Sequence, residues 1–528
     1  MSEDGSSLLG LGVDGSLLLW DVRTGARRVE PGLQQKSLEF EFALAPDGGE
    51  LVVGGTDGTV RRMRVGHGPA RPLVLPRSPP FMPAPFLPDP PARLLWLTGD
   101  QASLLDVASG APAGGAVRFP EPIQGITRGA RGIAIRPDLR CMVVQTVAGE
   151  WQAWELDRSS VKRAVPLEGA PAGTGWVCFS REGDLVAMVA GELSDTVWIW
   201  DLLTGRSVGR PLRHGATIWV GNHRAACFSS DGRRFVTGGF GGFAIVWEVA
   251  TGRPVLRLQT PGTYSLTHVD YSADGTRLAT QSVRGEAQLW EAATGRPLSP
   301  VLWDTREGGG TTFSPSGDHL LKWSGDGIAR VWDGRTGAAI SEPMLHPGVA
   351  IRHAAFSPDE RPVVTGAQDS TARIWDARTG QPITEPMKHA SRVVGCAFSP
   401  DGRFVRTEEA GGKKRGTTFL VWPVPPETGD EPAPEWLLRL ATICAAKIVN
   451  DAGQLVDVPE VLAGTDEIRR QLAALPDDDR FAEWGRWFLD DSPDRPIAPG
   501  FTVTPAEADR LEERLMAWWR SIVAPAEK

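Results

Sequence analysis

Three sets of residues have types or spacings that could do chemistry. Gly10-Leu11-Gly12-Val13-Asp14-Gly15 has the Gly-x-Gly-x-x-Gly spacing of a dinucleotide or phosphate cradle. A cradle of that kind must open a helix, so that the helix N-terminus faces the phosphates. The residues that follow, SLLLWD, have the pattern of a strand, so the glycines are expected in a hairpin turn. The second set is five cysteines, Cys141, Cys178, Cys227, Cys396 and Cys444. They form no Cys-x-x-Cys pair and no even framework, which suits neither zinc nor disulfides. Cys178, Cys227 and Cys396 sit in WVCFS, AACFS and GCAFS, where a small buried hydrophobe is expected. The third set is eight histidines, at 67, 214, 223, 268, 319, 346, 353 and 389, with no metal-ligand spacing among them. The sequence has no Walker loop, no HRD or DFG, no Gly-x-Ser-x-Gly and no HExxH. The expectation is a chain without catalytic residues, cofactor or metal.

What positions every side chain is a repeat. DSTARIWDARTG at 369–380 has relatives at 14–25, 195–205, 243–252, 286–295 and 327–337. Each is a short strand ending in Trp and an acid, followed by a Thr-Gly turn. Upstream comes an apolar strand ending in FSPDG or a variant, as in AFSPDG at 397–402. Pro-Asp-Gly is turn chemistry, because Pro presets φ and Gly accepts positive φ. A second strand (RFVTGG at 234–239) and a fourth (QPITEPM at 381–387) complete the unit. The Trp slots fall at Trp20, Trp154, Trp200, Trp247, Trp290, Trp332, Trp375 and Trp422, and Met63 and Leu105 fill two further slots. From Trp154 onward the spacings are 46, 47, 43, 42, 43 and 47 residues. Strands this short at this period imply an all-β fold of four-stranded blades, a β-propeller.

The strings and their period resemble the WD-repeat family over residues 1–424. The resemblance implies a hydrogen-bonded His, Thr, Asp and Trp set inside a blade. Carried over, that set is complete at His346, Thr365, Asp369 and Trp375, and partial at His214/Thr237/Trp247, at His389/Thr407/Trp422 and at Asp326/Trp332. These are expected to be structural residues. Quinoprotein propellers share the Trp-acid-x-x-Thr-Gly string but then need a docking Trp, where this chain has Arg-Pro-Val, Arg-Pro-Leu, Ala-Ala-Ile or Gln-Pro-Ile.

Ten repeats leave closure open. Seven, over 121–424, are expected to make a ring. Residues 1–120 then form a degenerate partial propeller, with ten prolines in an extended connector at 69–91. A single larger ring is the alternative. Residues 425–434 read as a linker, and 435–528 as a helical domain. There Trp436, Leu437, Leu440, Ile443, Cys444 and Ile448 share a helix face, and Thr504-Pro505-Ala506-Glu507 is a capping box. The region 481–515 resembles tails of bacterial, planctomycete-type WD-repeat proteins, whose relatives carry a Ser/Thr kinase module.

A net charge of −9 argues against a nucleic-acid partner, and no apolar run reaches the ~18 residues of a membrane helix. The start of the chain lacks the marks of a signal peptide, and a cytoplasmic location is expected. On the family resemblance the expected function is a non-catalytic protein–protein interaction scaffold, whose partners include a Ser/Thr kinase or its substrates rather than a small molecule. Trp219, Asn222, His223, Arg224, Tyr264, Arg352 and Arg392 are candidate contacts, because they fall where a fourth strand hands over to the next first strand. The alternatives are an enzyme with a loop-built site at the central channel, or a fragment of a larger kinase–propeller protein.

Overall fold

The computed structural model describes most of residues 133–426 and 465–510, the strands between Ser7 and Arg118 as backbone, and a short hairpin near 450. It divides into two compact units, Met1–Arg71 and Pro72–Lys528.

The first unit holds two three-stranded antiparallel sheets, Ser7–Leu11 with Leu17–Asp21 and Arg27–Val29, and Glu41–Leu44 with Glu50–Gly54 and Val60–Arg64. Gly10 lies in the first strand and Leu11 pairs with Leu17, so the segment is followed by a strand and not by the helix a cradle needs; Gly12 and Gly15 lie outside the described residues.

In the second unit eight sheets of three or four strands follow one another among the described residues. The first is Arg93–Thr98 with Gln101–Asp106 and Val117–Arg118. The others open with Ile133–Ile135, Trp176–Phe179, Ala226–Phe228, Leu266–Tyr271, Gly310–Phe313, Ile351–Phe356 and Val393–Phe398. Each is an antiparallel meander, and all but the last draw their strands from one run of chain. The second strands Arg277–Ser282 and Pro362–Ala367 are buried along their whole length. Neighbouring sheets cover both of their faces, which is why RPVVTGA reads as a near-continuous small and apolar run rather than an alternating one. The core accordingly lies between consecutive sheets: one cluster joins Leu321, Val331 and Met344 of one sheet to Val363, Ala367 and Trp375 of the next. Successive four-stranded antiparallel sheets of this kind fit a β-propeller.

Two turns repeat because their chemistry does. In the Trp-Asp-x-x-Thr-Gly turn, Asp376 Oδ1 accepts from Arg378 N (2.9 Å), Thr379 N (2.7 Å) and Thr379 Oγ1 (3.0 Å). Asp201 and Asp333 hold Thr204 and Thr336 in the same way. In the Ser-Pro-Asp turn, Ser357 Oγ donates to Asp359 (2.6 Å), as Ser229 does to Asp231 (2.6 Å).

Three features differ from the expectation. Residues 73–78, inside the stretch expected to be a connector, form the strand Leu73–Ser78 and pair with Thr417–Pro423 as the outer strand of the last sheet. The compact division falls at Arg71/Pro72 rather than at 120/121. The helix face expected to run to Ile448 is interrupted, because Lys447–Val449 pairs with Leu455–Asp457. β-branched residues on either side of an Asn450-Asp451-Ala452-Gly453 sequence favour a hairpin over a helix.

Beyond residue 434 the described structure includes the helices Thr465–Ala473 and Arg480–Leu489, which bury Ile468, Leu472 and Ala482 against Trp436. Thr504 and Glu507 make the reciprocal bonds of a capping box, Thr504 N to Glu507 Oε2 (2.9 Å) and Glu507 N to Thr504 Oγ1 (3.3 Å). Among the described residues no helix is long and apolar enough to cross a membrane.

Candidate partner-binding surface

The most chemically suggestive set is His346, Thr365, Asp369 and Trp375. Register brings it together: Thr365 opposes Arg373 and Val363 opposes Trp375, so Thr365 lies under the indole. Trp375 Nε1 donates to Thr365 Oγ1 (2.8 Å), Thr365 Oγ1 lies 2.8 Å from His346 Nε2, and His346 Nδ1 lies 3.4 Å from Asp369 Oδ2. With the ring proton on Nδ1, every group is satisfied in one line, from Trp375 to Asp369. A carboxylate, an imidazole and a hydroxyl in sequence also describe a hydrolytic triad. Here the hydroxyl is sealed: Thr365 is 0% and His346 4% exposed, and the hydroxyl already accepts the indole N–H. No substrate carbon reaches it, so the line is part of the blade core.

The neighbouring sheets repeat the arrangement in part. His214 Nδ1 lies 2.8 Å from Thr237 Oγ1, which accepts from Trp247 (2.9 Å). His389 Nε2 lies 2.7 Å from Thr407 Oγ1, which accepts from Trp422 (2.9 Å), and the other ring nitrogen donates to Met387 O. Trp290 donates to Thr280 Oγ1 (2.9 Å), a pair outside the sets expected from the sequence. Where Val144 and Met188 replace the Thr, Trp154 turns to Gln152 (2.9 Å) and Trp200 to Glu168 O (3.0 Å). In the next variant Lys322 stands in the Thr slot, and Trp332 Nε1 has no acceptor among the described residues. Trp154, Trp200, Trp247, Trp290, Trp332 and Trp375 are buried and Trp422 is half-buried, while the side chain of Trp20 lies outside the described residues.

These histidines are neutral near pH 7. Burial, with Arg257 nearby, lowers His214 to about 4, burial lowers His389 to about 4, and burial lowers His346 against the pull of Asp369. Burial alone would raise Asp369, but hydrogen bonds from Thr371 and the adjacent His346 bring it below the usual carboxylate value. A base whose folded-state value is depressed binds its proton in the unfolded chain first. Stability is therefore full above the ordinary histidine value of 6.5 and falls as pH drops from there towards 4. The melting temperature is expected to decline across that window, and His214→Gln with His389→Gln is expected to flatten the decline. Thermal melts at pH 7.5, 6, 5 and 4 check it.

Of the cysteines, Cys396 is buried and held well above its usual thiol value by desolvation, Cys141, Cys178 and Cys227 are half-buried and unbridged, and Cys444 lies outside the described residues. Among the described residues no group of three or more His, Cys, Asp or Glu is arranged to hold a metal.

Of the candidate contact residues, Trp219, Asn222, His223 and Arg224 lie outside the described residues. Arg352 and Arg392 are exposed, Arg352 facing the Gln368 carboxamide. Tyr264 is 37% exposed and carries the Arg284 guanidinium 4.4 Å over its ring. The structure adds two residues that the sequence reading passed over: Phe240, 43% exposed, and Trp303, 60% exposed. They belong with Tyr264. Leu266 N donates to Gly239 O (3.0 Å), beside Phe240, and Val283 N donates to Ser265 O (2.8 Å), beside Arg284. Leu302 bridges Ala287, which sets Trp303 abreast of Glu286. Glu286 and Tyr264 both crowd Gly262, each within 2.8 Å of the Cβ it lacks. Phe240, Tyr264, Arg284, Glu286 and Trp303 thus rim one end of two adjacent sheets. Trp303 carried a signal of its own, being a Trp outside the repeat slot. Phe240, in GGFGG, carried none.

The comparisons agree with this geometry. The WD domain, G-beta repeat (WD40) model matches residues 345–376, the stretch holding the complete His–Thr–Asp–Trp line. No curated protein matches the chain. The crystal structure of the computationally designed Ika8 protein is similar in fold, at 20% sequence identity and a TM-score of 0.50, over 67% of this chain and 97% of that chain. The model match marks a WD40 repeat at 345–376, and the successive four-stranded sheets fit a β-propeller.

Proposed function

We propose that the chain is a non-catalytic scaffold that binds another protein through the rim of Phe240, Tyr264, Arg284 and Trp303. WD40 repeats generally mediate protein–protein interactions, and the carrying observation is Trp303, a large apolar side chain 60% exposed at the same end of the sheets as Tyr264. Trp, Tyr and Arg are the residue types that anchor protein interfaces. A rigid scaffold is a single closed ring, and eight blades is the reading for this chain, running from the sheet of Arg93–Thr98 to that of Val393–Phe398. What supports eight over the expected seven is the pairing of Leu73–Ser78 with Thr417–Pro423. A Ser/Thr kinase or its substrates is the partner class implied by the resemblance of the tail alone.

The test is quantitative recovery from the native host. A protein that co-purifies with the wild-type chain is expected to fall at least about tenfold with Trp303→Ala/Tyr264→Ala, since two interface anchors of ordinary size are worth that much. It is expected to stay with Val255→Ala, which alters an exposed outer-strand residue away from the rim. Equal recovery with all three chains overturns the rim as the binding surface.

A further inference from the structure

Two successive junctions between sheets contain an arginine at the same place. Arg234, the first residue of its second strand, donates from Nη1 to Ala292 O (3.0 Å), two residues past Trp290 in the next sheet. Arg277, at the same place one sheet on, donates from Nη1 to Gly334 O (3.0 Å), two residues past Trp332. The acceptor is held each time in the same way: Ala292 N and Gly334 N bond Thr276 O and Asp318 O of their own sheets, leaving the carbonyl to the preceding one. In the next junction the position is His319, which turns to Glu360 (3.1 Å). In the junction before the last sheet it is Pro362, which has no side-chain donor.

The corresponding carbonyl there is Val424 O, two residues past Trp422, and Val424 N bonds Arg403 O (2.8 Å) as in the other sheets. It is not left to solvent. Arg480, the first residue of the helix Arg480–Leu489, donates to it from Nη2 (3.0 Å). The same helix sends Glu483 to Arg403 Nη2, with both carboxylate oxygens at 2.7 Å, and Phe501 packs edge-on to Phe404 with centroids 5.2 Å apart. A cavity of about 340 Å³ remains where the blade arginine would lie, lined by Pro358, Asp359, Pro362, Asp401 and Arg480 among others.

The last sheet is the described one that is closed by a strand distant in sequence. Its outer strand is Leu73–Ser78, from the far end of this unit in sequence, whereas the five other described four-stranded sheets take theirs from the same run of chain as their inner strands. We propose that the helix Arg480–Leu489 is a latch on this seam. Arg480 stands in for the junction arginine that Pro362 excludes, and so holds shut the sheet that the Leu73–Ser78 strand completes.

Hydrogen exchange on the full-length chain tests it. Arg480→Ala is expected to speed exchange about tenfold in Thr417–Pro423 and Leu73–Ser78, the size of one charge-assisted bond, and to leave Arg234–Gly238 unchanged. Restoring the junction arginine with Pro362→Arg in the Arg480→Ala chain is expected to recover the slow exchange. Pro362→Ala, which restores the backbone N–H but no guanidinium, is not. Unchanged exchange at the seam, an equal rise in every sheet, or rescue by Pro362→Ala as complete as by Pro362→Arg would each overturn the latch.

Discussion

Trp375→Ala is expected to destabilise the chain by about 3–5 kcal/mol, the usual loss for truncating a buried aromatic. The indole is 3% exposed and packs with Val363, Ala367 and the adjacent sheet's Val331 and Met344. Its removal leaves a cavity between two sheets and takes the N–H donor from Thr365 Oγ1. Arg373 loses the ring that its guanidinium overlies at 5.2 Å. Trp375→Phe keeps most of the apolar volume but no donor, so it is expected to fall between the two. Denaturant melts of the three chains check the order. A Trp375→Ala midpoint within error of the wild type would remove this residue from the core.

Gly380→Val is expected to be comparably damaging for a different reason. Gly380 has a φ of +77°, in the left-handed region, and N–H bonds back to Asp376 O (2.8 Å). A Cβ there would come 2.2 Å from Glu342 O, a backbone atom of the preceding sheet's outer segment. Backbone cannot step aside as a side-chain tip does, so strain in the turn and a clash between sheets add, at several kcal/mol together. Gly348→Ala provides the comparison: its φ is +71°, but nothing lies within 4 Å of the added carbon. It is expected to lose only the conformational part, about 1 kcal/mol. Equal melting temperatures for the two variants would show that the contact with Glu342 does not matter.

These two residues also show why so much of the fold is legible. Trp375 and Gly380 are fixed by contacts that recur in several repeats, and a contact that recurs leaves a periodic trace in the chain. The Thr-Gly and Pro-Asp turns are local, so neighbouring residues encode them in full. Leu73–Ser78 left no such trace. Its partner Thr417–Pro423 is more than 300 residues away in sequence, and Pro76 reads as a strand breaker. The proline is tolerated because the strand is outermost and the register shifts between Thr417 and Phe419, so no ladder bond is required where its N–H is missing. Arg480 is silent for a related reason: a single arginine at a helix start looks like any solvated charge until the vacancy at Pro362 is known. The rim is least legible of all. Phe240 and Trp303 serve no repeat, and only the bridge of Leu302 to Ala287 and the bond of Leu266 to Gly239 show that they share one end of the sheets.

The claim that this end is a protein-binding surface is tested most directly by site-specific photo-crosslinking in the native host. A photoreactive amino acid is placed at Trp303 in one chain and at Val255, exposed on an outer strand, in another. The scaffold reading predicts a discrete protein adduct from position 303 that is absent from position 255 and lost when Tyr264→Ala is added. The same adducts from both positions, or none from position 303, would contradict it.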